Sequence, residues 1–129
     1  MILTCKGKLL LERRRDSNTW GLVGGGVKKR ETELQAIARE VREELGIRIP
    51  QDRFARLAVY GEPGRIAAFR DGSIWRMVIV VFALEVEENR PIRISNESKE
   101  ARFFTKEELR HIEIAVTHRD IVEECFMQL

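Results

Sequence analysis

The clearest pattern along the chain is an apolar stripe at helical spacing in residues 32–46. Apolar side chains return every three or four residues, at Leu34, Ile37, Ala38, Val41 and Leu45. This spacing places them on one face of an α-helix. The segment is therefore predicted to be an amphipathic helix that turns one face towards the core.

Both ends of this helix carry boundary signals. Thr32, followed three residues later by Gln35, forms a capping-box pattern, which predicts that the helix starts there. Gly46 suits the position just past the last turn, where a left-handed backbone commonly ends a helix.

Apolar runs on either side of the helix predict β-strands. The run at residues 74–86 has apolar side chains on both faces, which is typical of a central strand covered on both sides. Asp71-Gly72 is a good hairpin turn between two β segments. The predicted strands span residues 2–4, 9–13, 20–23, 54–60 and 74–86.

The C-terminal third predicts two further helices. Thr105 and Glu108 form a second capping box, which predicts a short helix after Phe103-Phe104. Residues 117–127 predict a last amphipathic helix, with Ile121, Val122, Cys125 and Phe126 facing inward. Mixed strands and helices around a strand covered on both sides predict layered α+β packing.

Composition fits one ordinary globular domain over residues 1–129. Charged residues make up 34% of the chain, hydrophobic residues make up 43%, and the net charge is +2. That charge is too small to indicate a nucleic-acid or membrane partner, and no apolar run is long enough to span a bilayer. Cys5 and Cys125 are interpreted as free thiols in a reducing cytoplasm.

Three carboxylates stand next to each other on a second face of the first helix. Glu40, Glu43 and Glu44 occupy positions i, i+3 and i+4, where side chains are neighbours and like charges repel. A hard divalent cation such as Mg²⁺ takes oxygen ligands and would remove the repulsion. The simpler interpretation is a solvated acidic face. The glycine run that precedes the helix, Gly24-Gly25-Gly26, favours the metal site because its backbone can come close to a ligand.

The region as a whole resembles the Nudix box, and the chain is identified on it as a Nudix hydrolase. The resemblance extends outward to residues 9–14, 20–22 and 97–109. It implies an α+β Nudix fold, with a mixed, curved β-sheet sandwiched between α-helices. The positions that match the box are Gly25, Glu31, Arg39, Glu40, Val41, Glu43, Glu44, Gly46 and Ile47.

Members of this family hydrolyse diphosphate bonds with water and Mg²⁺ or Mn²⁺. The resemblance implies metal ligands at Glu40, Glu43 and Glu44, with the backbone carbonyl of Gly24 as a further ligand. Glu31 and Arg39 are expected to support catalysis by pairing with each other and fixing the helix.

The general base is expected to be Glu97 or one of the box glutamates, such as Glu43, with Glu100 as the runner-up to Glu97. In the family the region of Arg13 and Arg14 lies beside the site, so one of them is expected to hold a substrate phosphate.

The predicted substrate is a small nucleotide-like diphosphate, approached by the backbone of Gly25 and Gly26. Two alternatives stay open: a Nudix-fold binding or regulatory module without turnover, and an RNA 5′-end pyrophosphohydrolase. The weak net charge disfavours the second of these. The short first strand leaves room for a homodimer that covers it.

Overall fold

The computed structural model describes residues 1–63, 65–68 and 71–128. Within them, six strands form the main sheet and two more form a separate hairpin. The strands are β1 Ile2–Cys5, β2 Lys8–Arg14, β3 Trp20–Gly21, β4 Ala55–Tyr60, β5 Ile66–Ala68, β6 Ile74–Arg76, β7 Ile79–Glu85 and β8 Ser98–Phe104. The helices are α1 Glu33–Leu45, α2 Lys106–Leu109 and α3 Val116–Val122, with a 3-10 turn at Gln51–Arg53 and a π-helical turn at Glu123–Met127.

Strand β2 is the centre of the main sheet. It pairs antiparallel with β8 along one edge, and with β1 and then β3 along the other. Strand β1 runs parallel to β7, which in turn pairs antiparallel with β4. The sheet is therefore mixed, as expected.

Side chains that alternate along the strands supply two separate cores, one on each face of the sheet. On one face Leu10 and Phe82 pack with Val41 of α1. On the other face Leu9 and Val81 pack with residues of α3 and the π-helical turn. The predicted sandwich, with helices on both faces of a mixed sheet, is confirmed.

The boundaries of α1 follow the sequence signals. Thr32 and Gln35 form both reciprocal hydrogen bonds of the capping box. Gly46 has φ 70°, a left-handed conformation that suits glycine, and its N–H donates to the carbonyl of Arg42. The second capping box, of Thr105 and Glu108, is also formed and begins α2.

The predicted strand at residues 74–86 is wrong in its first third. Residues 74–76 form β6, which pairs with β5 in the separate hairpin, and the main sheet takes up the chain again at Ile79. Ile74 and Val78 are 72% and 61% exposed. Apolar alternation reports a strand and does not report what covers it, so the pattern could not separate the hairpin from the sheet.

The predicted hairpin turn is borne out, since β5 and β6 are antiparallel and Gly72 has φ 87°. Phe69 and Arg70, which precede this turn, lie outside the described residues. At the C-terminus the four predicted inward residues are buried, although the α-helix gives way to the π-helical turn after Val122. No helix in the described part of the chain is long and apolar enough to cross a membrane.

Candidate active site

Arg39 of α1 is the hub of a group of charged side chains at the glycine run. Its guanidinium makes a two-pronged contact with Glu31, with Nε 2.7 Å from Oε2 and Nη2 3.0 Å from Oε1. Nη1 lies 2.7 Å from Oε1 of Glu40 and 3.2 Å from Oε2 of Glu43. Nη2 also donates to the carbonyl of Gly26 at 2.9 Å. One arginine therefore joins the loop to the helix.

We call the two-pronged contact between Glu31 and Arg39 the clamp. It forms because Glu31 lies just before the N-cap residue of α1, where its carboxylate faces both the loop and Arg39. The backbone N–H of Lys28 donates to Glu31 Oε1 at 2.9 Å. Hydrogen bonds from Arg39 and Lys28 lower the pKa of Glu31 to about 2, and the hydrogen bonds to Glu31 and Glu40 raise the pKa of Arg39. Both groups stay charged across the physiological range, which keeps the clamp closed.

The glycine run packs directly against the carboxylates of α1. A Cβ atom on Gly25 would collide with the Glu40 carboxylate as it stands, so the glycine lets the loop backbone lie this close to Glu40. The N–H of Gly24 donates to Oε2 of Glu44 at 3.4 Å. The loop predicted to approach a ligand thus lies beside two of the three predicted metal ligands.

Glu44 is half-buried and faces other carboxyl groups. Burial raises its pKa to about 9, helped by the charges and hydrogen bonding of Glu12 and Glu40. Glu12, on β2, is only 6% exposed. Its pKa is also raised, mainly by burial, while contacts with Glu44, Arg14 and Ser98 oppose the shift.

The sequence interpretation gave Glu12 no role. The signal was available, because alternation along β2 places Glu12 on the same face as Leu10, the face that α1 covers. A charged residue in that place is a buried polar group, which is the informative exception to hydrophobic burial.

Carboxylate oxygens are the donors that Mg²⁺ and Mn²⁺ favour, and the side chains here supply them in excess over positive charge. Glu43 differs from its neighbours because its side chain is 50% exposed and its described contact is with Arg39. Within the described residues, no group of three or more His, Cys, Asp or Glu side chains is already arranged to hold a metal ion. Arg39, which engages both Glu40 and Glu43, accounts for this arrangement.

The two candidate bases on the β8 side are placed differently. Glu97 is exposed in the turn before β8, its carbonyl accepts the N–H of Arg15 at 3.1 Å, and its charge contributes to the raised pKa of Glu12. Glu100 lies opposite Arg13 in the β2–β8 pair, with 3.7 Å between Nη1 and Oε1.

Arg13 and Arg14, the arginines predicted to bind phosphate, contact residues outside the cluster of glutamates around α1. Arg13 follows Glu12 on a strand, so its side chain leaves the opposite face of the sheet and meets Glu100. Nε of Arg14 is 3.3 Å from Oδ1 of Asp16. The structure therefore brings Glu31, Glu40 and Glu43 together around Arg39, and it pairs Arg13 and Arg14 with other carboxylates.

His118 of α3 holds the segment that leads into the glycine run. Its Nδ1 accepts the N–H of Leu22 at 3.1 Å, and it packs against Gly21. Burial lowers its pKa to about 4, with the nearby Arg14 and Arg65 charges acting in the same direction. The neutral ring is therefore the form that holds this backbone, a role that the sequence pattern did not show.

Comparison with known proteins finds one family over almost the whole chain. The NUDIX domain matches residues 1–125. The nucleoside triphosphatase NudI of Enterobacter sp. (strain 638) is 26% identical over 108 residues, which cover 83% of this chain and 76% of that protein.

Solved structures share the fold at lower identity. The dihydroneopterin triphosphate pyrophosphohydrolase of E. coli superposes with a TM-score of 0.71 at 20% identity, covering 99% of this chain and 94% of its own. A bifunctional NMN adenylyltransferase/ADP-ribose pyrophosphatase from Francisella tularensis, complexed with AMP and a Mn ion, gives 0.72 at 19%, covering 94% of this chain and 38% of its own.

Proposed function

The chain belongs to the NUDIX domain family and is a pyrophosphohydrolase, and from that premise we propose that it needs Mg²⁺ or Mn²⁺ to hydrolyse a nucleotide-like diphosphate. The observation that carries the proposal is the charge imbalance at α1. Glu31, Glu40 and Glu43 meet the single guanidinium of Arg39, and Glu44 lies half-buried beside Glu40. A divalent cation relieves this excess of negative charge.

The residues that would hold the cation are Glu40, Glu43 and Glu44, with the carbonyl of Gly24. Their oxygen donors fit a hard divalent ion. When bound, such an ion polarises a phosphoryl oxygen and lowers the pKa of a coordinated water.

The other residues of the site act through position and charge. The Glu31–Arg39 clamp fixes α1 against the loop, so the carboxylates keep their orientation, and groups in this position commonly change metal affinity or activity ten- to a hundredfold. The backbone of Gly25 and Gly26 forms the wall along which the substrate phosphates lie.

Glu97 is the proposed general base. It is exposed, so it can reach an attacking water, and its charge is felt by Glu12 next to Glu44. Glu100 is held by Arg13 instead. Box glutamates such as Glu43 stay the alternative, and Arg14 or Arg13 is proposed to hold a phosphate at the border of the site.

Nucleoside triphosphates are the first substrates to test, because nucleoside triphosphatases are among the relatives that cover most of the chain. The experiment is a panel of nucleoside triphosphates, nucleotide sugars, dinucleoside polyphosphates and ADP-ribose, each with Mg²⁺ or Mn²⁺. Release of a mononucleotide from at least one class is expected. If no class were cleaved with either metal, the proposal would fail. The cytoplasmic location, the single domain and the homodimer stay predictions.

A further inference from the structure

Glu12 is a buried carboxylate that the clamp does not use. It is 6% exposed, and its Oε1 has no hydrogen-bond partner among the described residues. Glu44 lies within hydrogen-bonding reach of it, but a carboxylate cannot donate a hydrogen bond while it is ionised. Burying an ionised carboxylate without compensation costs several kcal/mol.

The surroundings of Glu12 offer little positive charge to offset that cost. Ser98, itself buried, and the charge of Arg14 both lower the pKa of Glu12, but Arg14 makes its own contact with Asp16. The charge of Glu97 acts against it. The surrounding residues therefore do not balance the negative charge of an ionised Glu12, and a bound cation would balance it.

Two elements, β2 and α1, bring carboxyl groups close to each other. Strand β2 contributes Glu12, and α1 contributes Glu44, which lies within hydrogen-bonding reach of both Glu12 and Glu40. The glycine loop closes the third side, where Gly24 donates to Glu44 and Gly25 packs on Glu40. Glu43 stands apart from this group, since it is half exposed and turned to Arg39.

We propose that Glu12 is a metal ligand supplied by β2, which joins Glu40 and Glu44 around the divalent cation. The inference rests on the proposed function, because the cation is the one that hydrolysis requires. It assigns to the sheet a ligand that the box does not contain.

Calorimetric titration of the full chain with Mn²⁺ is the first test. Glu12→Gln keeps the size of the side chain and its contact with Ser98 but removes the charge, so Mn²⁺ affinity should fall at least about tenfold. Glu44→Gln should lower the Mn²⁺ affinity by at least as much. Glu33→Gln, on the same helix and paired with Arg56, is the matched control and should bind Mn²⁺ like the wild type.

A ligand exchange separates a direct ligand from a mere neighbour. Thiolate prefers soft ions, so Glu12→Cys should raise the ratio of Cd²⁺ to Mn²⁺ affinity above that of the wild type. Glu33→Cys corrects for Cys5 and Cys125 and should leave the ratio unchanged. This variant also decides the question if Glu12→Gln does not fold.

The outcomes separate the two proposals. If Glu44→Gln loses Mn²⁺ while Glu12→Gln and Glu12→Cys behave like the wild type, the Glu12 assignment is overturned and Glu12 merely shares a proton with Glu44. If the wild type binds no Mn²⁺ and cleaves nothing in the panel, the proposed function itself has failed.

Discussion

Two arginines, one on each side of the sheet, are almost equally buried and serve different purposes. The Arg39 side chain is 12% exposed and the Arg65 side chain is 9% exposed. Arg39 draws its partners from the loop and helix that follow each other in sequence. Arg65 pairs with Asp120 and donates to the carbonyl of Thr117 at 3.0 Å, partners that lie 55 and 52 residues away.

The difference lies in the balance of charge. Arg65 meets the carboxylates of Glu62 and Asp120 and stacks on Tyr60 with 4.6 Å between its guanidinium carbon and the ring centroid. That group ties the segment before β5 to α3. The Arg39 group has a further carboxylate beside it in Glu44, itself next to Glu12. A nearly compensated cluster stabilises the fold, whereas an under-compensated one can bind a cation.

The largest expected effect separates the two clusters directly. Glu44→Gln should lower turnover by about 10³-fold, because loss of a ligand forfeits several kcal/mol of transition-state stabilisation. Its melting temperature in metal-free buffer should stay the same or rise, since a half-buried carboxyl group is replaced by a neutral amide. Asp120→Asn should show the reverse, with a lower melting temperature and unchanged turnover per folded molecule. The account fails if Glu44→Gln keeps wild-type turnover.

The second effect concerns the base. Glu97→Gln should lower kcat by about 10²-fold, the scale of a lost general base, because Glu97 is exposed and its charge acts on Glu12. Glu100→Gln should do less, since its described partner is Arg13. Steady-state kinetics of the two variants decide between them, and the opposite order would transfer the role to Glu100.

Matched substitutions of the two hubs come next in size. Arg39→Lys keeps the charge but loses the fork that holds Glu31 and Glu40, so activity or metal affinity should fall about ten- to a hundredfold. Arg65→Lys should lower thermal stability and leave kcat unchanged. Equal kinetic effects from the two variants would remove the distinction between the clusters.

Most of the Arg39 region could be predicted because its information is local. The spacing of Thr32, Gln35 and Gly46 fixes the bounds of α1, and helical periodicity brings Glu40 next to Glu44. The Arg65 cluster depends on contacts across more than fifty residues, and nothing in the spacing of its members reports them. Alternation along β2 places Glu12 on the same face as Leu10, but it does not report that α1 covers this face. The role of Glu12 was missed for that reason.

Ile74 illustrates the other limit of the pattern. A run of apolar residues predicts a strand, and Ile74 does lie in one, but the hairpin it belongs to stands outside the main sheet. The same composition can therefore form a core strand or an exposed hairpin strand. The chain leaves the hairpin near Met77, whose N–H donates to the carbonyl of Arg65. The hydrophobic pattern does not predict this change of direction.

The smallest expected effect is on stability and comes from His118. Because its pKa is lowered from 6.5 to about 4, the unfolded chain binds more protons than the folded chain between those values. Stability from this group is fully present above about pH 6.5 and is lost as the pH falls to about 4. Denaturant unfolding at several pH values measures the slope.

The matched control is His118→Asn, whose side-chain oxygen can still accept the N–H of Leu22. It should flatten the pH dependence of stability in that window. An unchanged slope in His118→Asn would assign the acid sensitivity to other groups.

The most direct test of the central claim is turnover of the wild-type chain as Mg²⁺ or Mn²⁺ is removed and restored, with a substrate from the cleaved class. The under-compensated carboxylates predict that hydrolysis vanishes when a chelator strips the divalent ion and returns fully when the ion is added in excess. Because the Arg65 cluster stabilises the fold without a metal, we expect the chain to stay folded while the ion is removed and restored. Circular dichroism of the same samples measures this. Full turnover in metal-free buffer would contradict the account.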